Sequence, residues 1–136
     1  MTDADPLRRR LLASAPWLAI MVLGGARPGQ AATRAAVNAA GSAAVHSLLA
    51  HVDSAVAVGR EYLRHHPDER DLARIRHGLS GALGGPVETL DPAVLRERVR
   101  RRVRQDFAED RIALVDGWIL SITEARICAL AALIDV

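Results

Sequence analysis

Side chains that commonly bind metals or cofactors are few in this sequence, and their spacing limits what they could do. The five histidines are His46, His51, His65, His66 and His77. None has the i, i+4 spacing that places two imidazoles on one helix face. One arrangement stays open, in which His66 and His77 meet across a turn with Asp68 or Asp71. We therefore predict surface histidines, and keep a histidine-based ligand, metal or cofactor site as the alternative.

Nucleophilic and acid–base chemistry also have few candidates. Cys128 is the only cysteine, so neither an intramolecular disulfide nor a cysteine-based zinc site can form. It lies in an apolar helical segment, which favours a small buried hydrophobe over a reactive thiolate. Asp116 and Glu124 could form a carboxylate pair, but a turn and a helix cap explain them better. The sequence thus predicts no catalytic residue, no metal site and no cofactor.

The densest charge is a run of six arginines within residues 96–104. They are Arg96, Arg98, Arg100, Arg101, Arg102 and Arg104. On a helix, Arg98, Arg101 and Arg104 share the side opposite the apolar stripe. A solvated helix face is the simplest interpretation. An acidic protein partner, or phosphates and anionic headgroups, remain open as alternatives.

Trp118 is the one large aromatic residue in the predicted hairpin. It follows Asp116-Gly117, a dipeptide typical of a two-residue hairpin turn between two apolar runs. A tryptophan here either fills the core or anchors a partner, and we favour the core. We nevertheless count it, with Arg98, Arg101 and Arg104, as the candidate partner surface.

The spacing of apolar residues predicts the helices that would position these residues. Apolar residues recur at three- and four-residue steps over about 43–65, with Gly59 on that face suggesting a close helix crossing. A second helix is expected to open at Pro67 and to dissolve into a glycine-rich loop over 78–86. Asp91-Pro92 begins a third helix, about 92–108, whose apolar stripe ends at Phe107.

The C-terminal quarter has its own local signals. After the hairpin, Ser121 and Glu124 have the spacing of a capping box and begin a last helix, about 122–134. The sequence therefore predicts a mainly α fold, a small bundle of about four helices with one short β-hairpin before the C-terminal helix.

The first 31 residues have the layout of an export signal. Arg8 and Arg9, followed by Leu11 and Leu12, match the twin-arginine type of signal and begin an apolar run to about residue 26. That run is shorter than the ~20 residues a spanning helix needs. The small residues ending at Ala31 predict cleavage before residue 32. An uncleaved signal acting as a membrane tether remains the alternative.

Removal of the signal changes the charge of the chain. Four of the 18 arginines and two of the 16 acidic residues lie in residues 1–31, which leaves 14 of each. The predicted mature part has no net charge, which argues against nucleic acid as its partner. We divide it into a mobile, Ala-rich lead-in over residues 32–44 and a single helical domain over residues 45–136.

Two motifs resemble a group of small bacterial proteins with twin-arginine signals. The first is the ending Asp-Gly-Trp-Ile-Leu-Ser at 116–121 with Thr-Glu-Ala-Arg-Ile-Cys-Ala-Leu at 123–130. The second is Gly-Arg-Glu-Tyr-Leu at 59–63 followed by His66-Pro67. With the signal, the similarity covers about half of the chain. It implies export and a shared compact fold, and it transfers no catalytic residue.

These observations together predict a periplasmic protein without catalytic activity, an accessory or small subunit of a larger, redox-type complex. The twin-arginine translocase would be its transient partner, because this route carries folded proteins. A second protein in the periplasm would be its lasting partner, and contact with the membrane would occur only through an uncleaved signal.

Overall fold

A computed structural model describes residues 28–134 of the chain. This part contains five α-helices and one antiparallel hairpin, which confirms the predicted fold class. In chain order the elements are α1 (Pro28–Leu48), α2 (Val52–His65), α3 (Leu72–Leu83), α4 (Pro92–Ala108), β1 (Ile112–Val115), β2 (Trp118–Ser121) and α5 (Ile122–Ile134). A single 3-10 turn, Pro67–Glu69, joins α2 to α3.

Helix α5 is the centre of the bundle. It contacts each of the other four helices and both strands. Ala125, Ala129 and Leu130 are fully buried within it. After its first two residues, α5 is apolar apart from Glu124 and Arg126 and has little surface suited to water, so the other elements pack around this helix.

Helices α2 and α5 approach each other closely at Gly59. A Cβ atom built on Gly59 would lie 2.0 Å from the carbonyl oxygen of Cys128. Only a residue without a side chain fits there, because the opposing atoms belong to the backbone of α5. The predicted close crossing at Gly59 is therefore confirmed.

The first helical segment differs from the prediction in its boundaries. The helix expected over about 43–65 is two helices, since α1 ends at Leu48 and α2 begins at Val52. No proline or glycine marks the break. The break allows α1 and α2, which both contact α5, to approach it as separate elements. The Ala-rich segment 32–44 and the predicted cleavage site after Ala31 both lie within α1.

The second helix also differs from the prediction. Asp71, not Pro67, caps it, because the Asp71 side chain accepts a hydrogen bond from the backbone N–H of Arg74. Gly78 and Gly81, expected in a loop, lie inside α3. The helix ends at Gly84, whose φ of 70° is the left-handed conformation typical of a C-terminal glycine.

The local signals of the C-terminal half are confirmed. Asp91 accepts hydrogen bonds from the backbone N–H groups of Ala93 and Val94 at the start of α4. Asp116 and Gly117 both have positive φ in the hairpin turn. The Ser121 N–H donates to Glu124, and the Glu124 N–H donates to the Ser121 hydroxyl, which completes the capping box.

Within residues 28–134, no helix has the length and apolar character needed to cross a membrane. The signal residues Arg8, Arg9, Leu11 and Leu12 lie outside the described part of the chain.

Candidate functional site

The β-hairpin exposes a group of large apolar side chains, which we call the hairpin surface and define as Ile112, Leu114, Trp118 and Ile119. Leu114 and Ile119 are directly opposed in the strand register, so they share one face. They are 72% and 61% exposed. Ala113 and Val115 alternate with them and are buried, which shows that the other side of β1 faces the core.

Trp118 does not fill the core. It begins β2 beside the turn, pairs with Val115, and is 68% exposed. The prediction that Trp118 fills the core was therefore wrong. Trp118 lies at the tip of the hairpin, where the helices of the bundle do not cover a side chain of this size. Phe107 is likewise 44% exposed, although the four-residue period predicted it in the apolar stripe of α4. Of the seven large apolar side chains that are exposed in the described residues, four lie on the hairpin, and apolar surface concentrated on one element is typical of a protein-binding site.

The arginines predicted as one partner surface are divided between two sides of α4. The Arg98 guanidinium donates hydrogen bonds of 2.8 Å to the carbonyl oxygens of Leu83 and Gly84, so it holds the C-terminal end of α3. Arg101 lies on the same side, toward α3. Arg104 lies on the other side, at the edge of a groove. Arg98 therefore has a structural role, whereas Arg104 lies beside the residues that line the groove.

That groove runs between α4 and α5 and has a volume of about 560 Å³. We call it the α4–α5 groove. Its apolar lining is Leu48, Leu49, Val99, Val103, Leu120, Ile127 and Cys128. Arg96, Arg100 and Arg104 line it at four-residue steps along α4, and Glu124 lines it from the first turn of α5. The surface predicted from sequence contained Arg98, Arg101 and Arg104, and so it left out Arg96 and Arg100, which belong to this row.

The Cys128 thiol lines the same groove and is partly buried. Burial, with a smaller contribution from the nearby Glu124 charge, raises its pKa to about 11. A thiol with this pKa is protonated at neutral pH, which agrees with the predicted hydrophobic role rather than a nucleophilic one.

Two of the five histidines, His65 and His66, take part in structural contacts. His65 and Arg64 both contact the Glu61 carboxylate, and the Arg64 hydrogen bond is the main cause that lowers the Glu61 pKa to about 2. The ring of His66 packs against the ring of Tyr62, with 4.2 Å between the two ring centroids. Within residues 28–134, which contain all five histidines, no three His, Cys, Asp or Glu side chains converge as metal ligands.

The two carboxylates considered as an acid–base pair are separated by a strand. Asp116 occupies the turn before β2, and Glu124 lies in the first turn after it. Four residues of extended chain span about 13 Å, and the Glu124 carboxylate is engaged in the capping box. No proton relay between these two groups is supported.

A partly buried polar cluster that the sequence did not reveal joins α2, the 3-10 turn and α5. The Tyr62 hydroxyl donates to Glu69 at 2.8 Å, and the Arg126 Nε donates to both Glu69 oxygens at 3.1 Å. The Arg126 hydrogen bonds lower the pKa of Glu69. Burial first, and then the Glu69 carboxylate, raise the pKa of Tyr62. Glu69 and Arg126 are 57 residues apart, so no local pattern could pair them.

A second cluster centres on Asp106, whose side chain is 1% exposed. One of its oxygens accepts hydrogen bonds from the N–H and hydroxyl of Thr123, and the other contacts Arg102 and Arg111. Burial opposes its ionisation, but the Thr123 hydrogen bonds and the arginine charges outweigh burial and lower the pKa. The only sequence feature that pointed to this cluster was the position of Asp106, an acidic residue near the end of the apolar stripe of α4.

No protein-family model, curated protein or solved structure matches this chain.

Proposed function

We propose that this chain is an exported, non-catalytic accessory subunit that binds another protein in the periplasm through its hairpin surface. The single observation that carries the proposal is the exposure of Leu114, Trp118 and Ile119 on one small element. When a partner covers large apolar side chains, the removal of their surface from water stabilises the complex. The titratable groups described above serve caps, turns and ion pairs, which favours binding over catalysis.

The export half of the proposal is supported by the order of the N-terminal residues. Three adjacent arginines, at positions 8–10, precede an uncharged run that is too short for an ordinary membrane span. The twin-arginine route carries folded proteins, so a subunit that folds and assembles before export is a suitable passenger. A redox enzyme is the partner class that we propose, because such enzymes commonly acquire their cofactors before export.

The partner proposal is tested with a double variant of the hairpin, Leu114→Ser with Ile119→Ser. We expect the tagged native chain to co-purify with one stoichiometric partner from its own periplasm. The variant should lose about tenfold or more in affinity, since central apolar residues carry most of an interface energy. Size-exclusion chromatography with light scattering and mass spectrometry measures both results.

Val37→Ser with Val94→Ser is the matched control, because these two apolar side chains are also exposed but lie on α1 and α4. The control variant should retain the partner. A native chain that runs as a monomer without a co-purifying protein, or equal losses in both variants, would contradict the proposal.

The export proposal is tested by changing Arg8 and Arg9 together to lysine. Lysine keeps the positive charge that an ordinary secretory signal requires, but the twin-arginine receptor requires arginine. We expect the variant to stay in the cytoplasm with its signal attached, as measured by cell fractionation and intact mass. Normal export of the variant would indicate the ordinary secretory route and would remove the argument from folded transport.

A further inference from the structure

The α4–α5 groove combines an apolar floor with a charged edge, and this combination specifies a type of ligand. Arg96, Arg100 and Arg104 are exposed, and none has a hydrogen-bond or ion-pair partner within residues 28–134. Their neighbours on α4 differ, since Arg98 holds the end of α3 and Arg102 pairs with Asp106. Within the described part of the chain, the groove edge is therefore where three unpaired arginines of α4 meet apolar surface, whereas the exposed Arg101 lies toward α3.

The spacing of these arginines distinguishes among possible ligands. Residues four apart on a helix are separated by about 6 Å along its axis, so the row extends over about 12 Å. A single fatty-acid carboxylate would neutralise one end of such a row. A second helix with acidic residues at i, i+4 and i+8 would match all three guanidinium groups one for one, with its adjacent apolar stripe on the groove floor.

We infer that the α4–α5 groove binds an acidic amphipathic helix of a partner protein. The inference rests on the proposed protein-binding role, but it concerns a surface separate from the exposed face of the hairpin. Among the described residues that line the groove, Glu124 is the one that is acidic. Its carboxylate accepts a hydrogen bond from the Ser121 N–H, and three arginines line the same groove, so the charge facing a ligand is predominantly positive.

The test needs no native partner, so its failure is distinguishable from failure of the hairpin proposal. The probe is a fluorescent, end-capped 18-residue helical peptide with a leucine stripe and glutamates at i, i+4 and i+8. A second peptide has lysines in place of the glutamates. Fluorescence anisotropy with the full chain should show binding of the glutamate peptide and at least about tenfold weaker binding of the lysine peptide.

Two single variants locate the interaction. Arg100→Glu should weaken binding of the glutamate peptide by about tenfold or more. Arg101→Glu makes the same charge change at the next residue, which is also exposed but lies toward α3, and it should change the affinity by less than about twofold. Circular dichroism confirms that both variants are folded, and Leu114→Ser with Ile119→Ser should leave peptide binding unchanged.

A charge-swapped chain completes the test. Replacement of Arg96, Arg100 and Arg104 together by glutamate should reverse the preference, so that the lysine peptide binds better than the glutamate peptide. Equal effects of Arg100→Glu and Arg101→Glu would overturn the inference, because they would indicate attraction to net charge alone. Binding of sodium dodecanoate without binding of the glutamate peptide would also overturn it, in favour of a lipid site.

Discussion

Gly59 and Gly81 are both helical glycines, but their surroundings are opposite. A Cβ on Gly59 would overlap the backbone of α5 at Cys128 and Ala129, whereas a Cβ on Gly81 would meet no atom within 4 Å. The first glycine is required by tertiary packing. The second only gives the unfolded chain additional freedom, which lowers the stability of α3.

This contrast predicts opposite effects of the same substitution. Gly59→Ala should lower the free energy of unfolding by about 1–3 kcal/mol or more, because α2 and α5 must separate. Gly81→Ala should raise it by about 0.5–1 kcal/mol, because alanine favours the helix. Urea denaturation followed by circular dichroism measures both. A Gly59→Ala protein as stable as the native one would show that the two helices do not cross this closely.

The N-terminus of α5 depends on a residue of α4. Asp106 accepts two hydrogen bonds from Thr123 in the first turn of α5, where negative charge also favours the helix dipole. The same carboxylate pairs with Arg102 in α4 and with Arg111 before β1. One buried side chain therefore fixes α4, the hairpin and α5 relative to one another.

Asp106→Asn should lower the free energy of unfolding by about 3 kcal/mol, since it leaves two arginines facing a buried neutral group. Thr123→Val, which removes only the hydroxyl donor, should cost less, about 1–2 kcal/mol. Urea denaturation gives both values. If Asp106→Asn were as stable as the native protein, the cluster would not be the junction that we describe.

The elements also show what could be predicted from sequence. Asp91, Asp116-Gly117 and the Ser121–Glu124 box act through neighbours within three residues, so their types alone located α4, the hairpin and α5. The break after Leu48 and the exposure of Trp118 depend on what other elements cover. No local pattern contains that information, which is why the first helix was predicted as continuous and Trp118 as core.

The same limit applies to the candidate sites. The apolar runs of the hairpin were visible, but not that Leu114 and Ile119 would face outward together. The arginine run was visible as well, but the sides of α4 were assigned only by the contacts of Arg98 with the end of α3. The twin-arginine signal and the lack of a cofactor motif led to the prediction of a non-catalytic binding protein, whereas the exposure of particular side chains depends on three-dimensional packing.

Two carboxylates, the buried Asp106 and the partly buried Glu69, make the stability of the protein depend on pH. Asp106 and Glu69 join elements that are distant in sequence, and both have pKa values below their ordinary values of 3.8 and 4.5. A carboxylate whose pKa is lower in the folded state contributes stability that is complete above its unfolded pKa. This contribution is lost as the pH falls through the folded pKa, because protonation then becomes coupled to unfolding.

We therefore expect the free energy of unfolding to be constant from about pH 7 to pH 5 and to decrease steeply below about pH 4.5. Urea denaturation at a series of pH values measures the curve. Asp106→Asn and Glu69→Gln should each be less stable at pH 7 and should each flatten the acid limb, because the group that takes up the proton is missing. Glu97→Gln, at an exposed position on α4, should reproduce the native curve. Acid limbs that are parallel in all four proteins would mean that other carboxylates control the acid stability, and that the two clusters do not hold the bundle together.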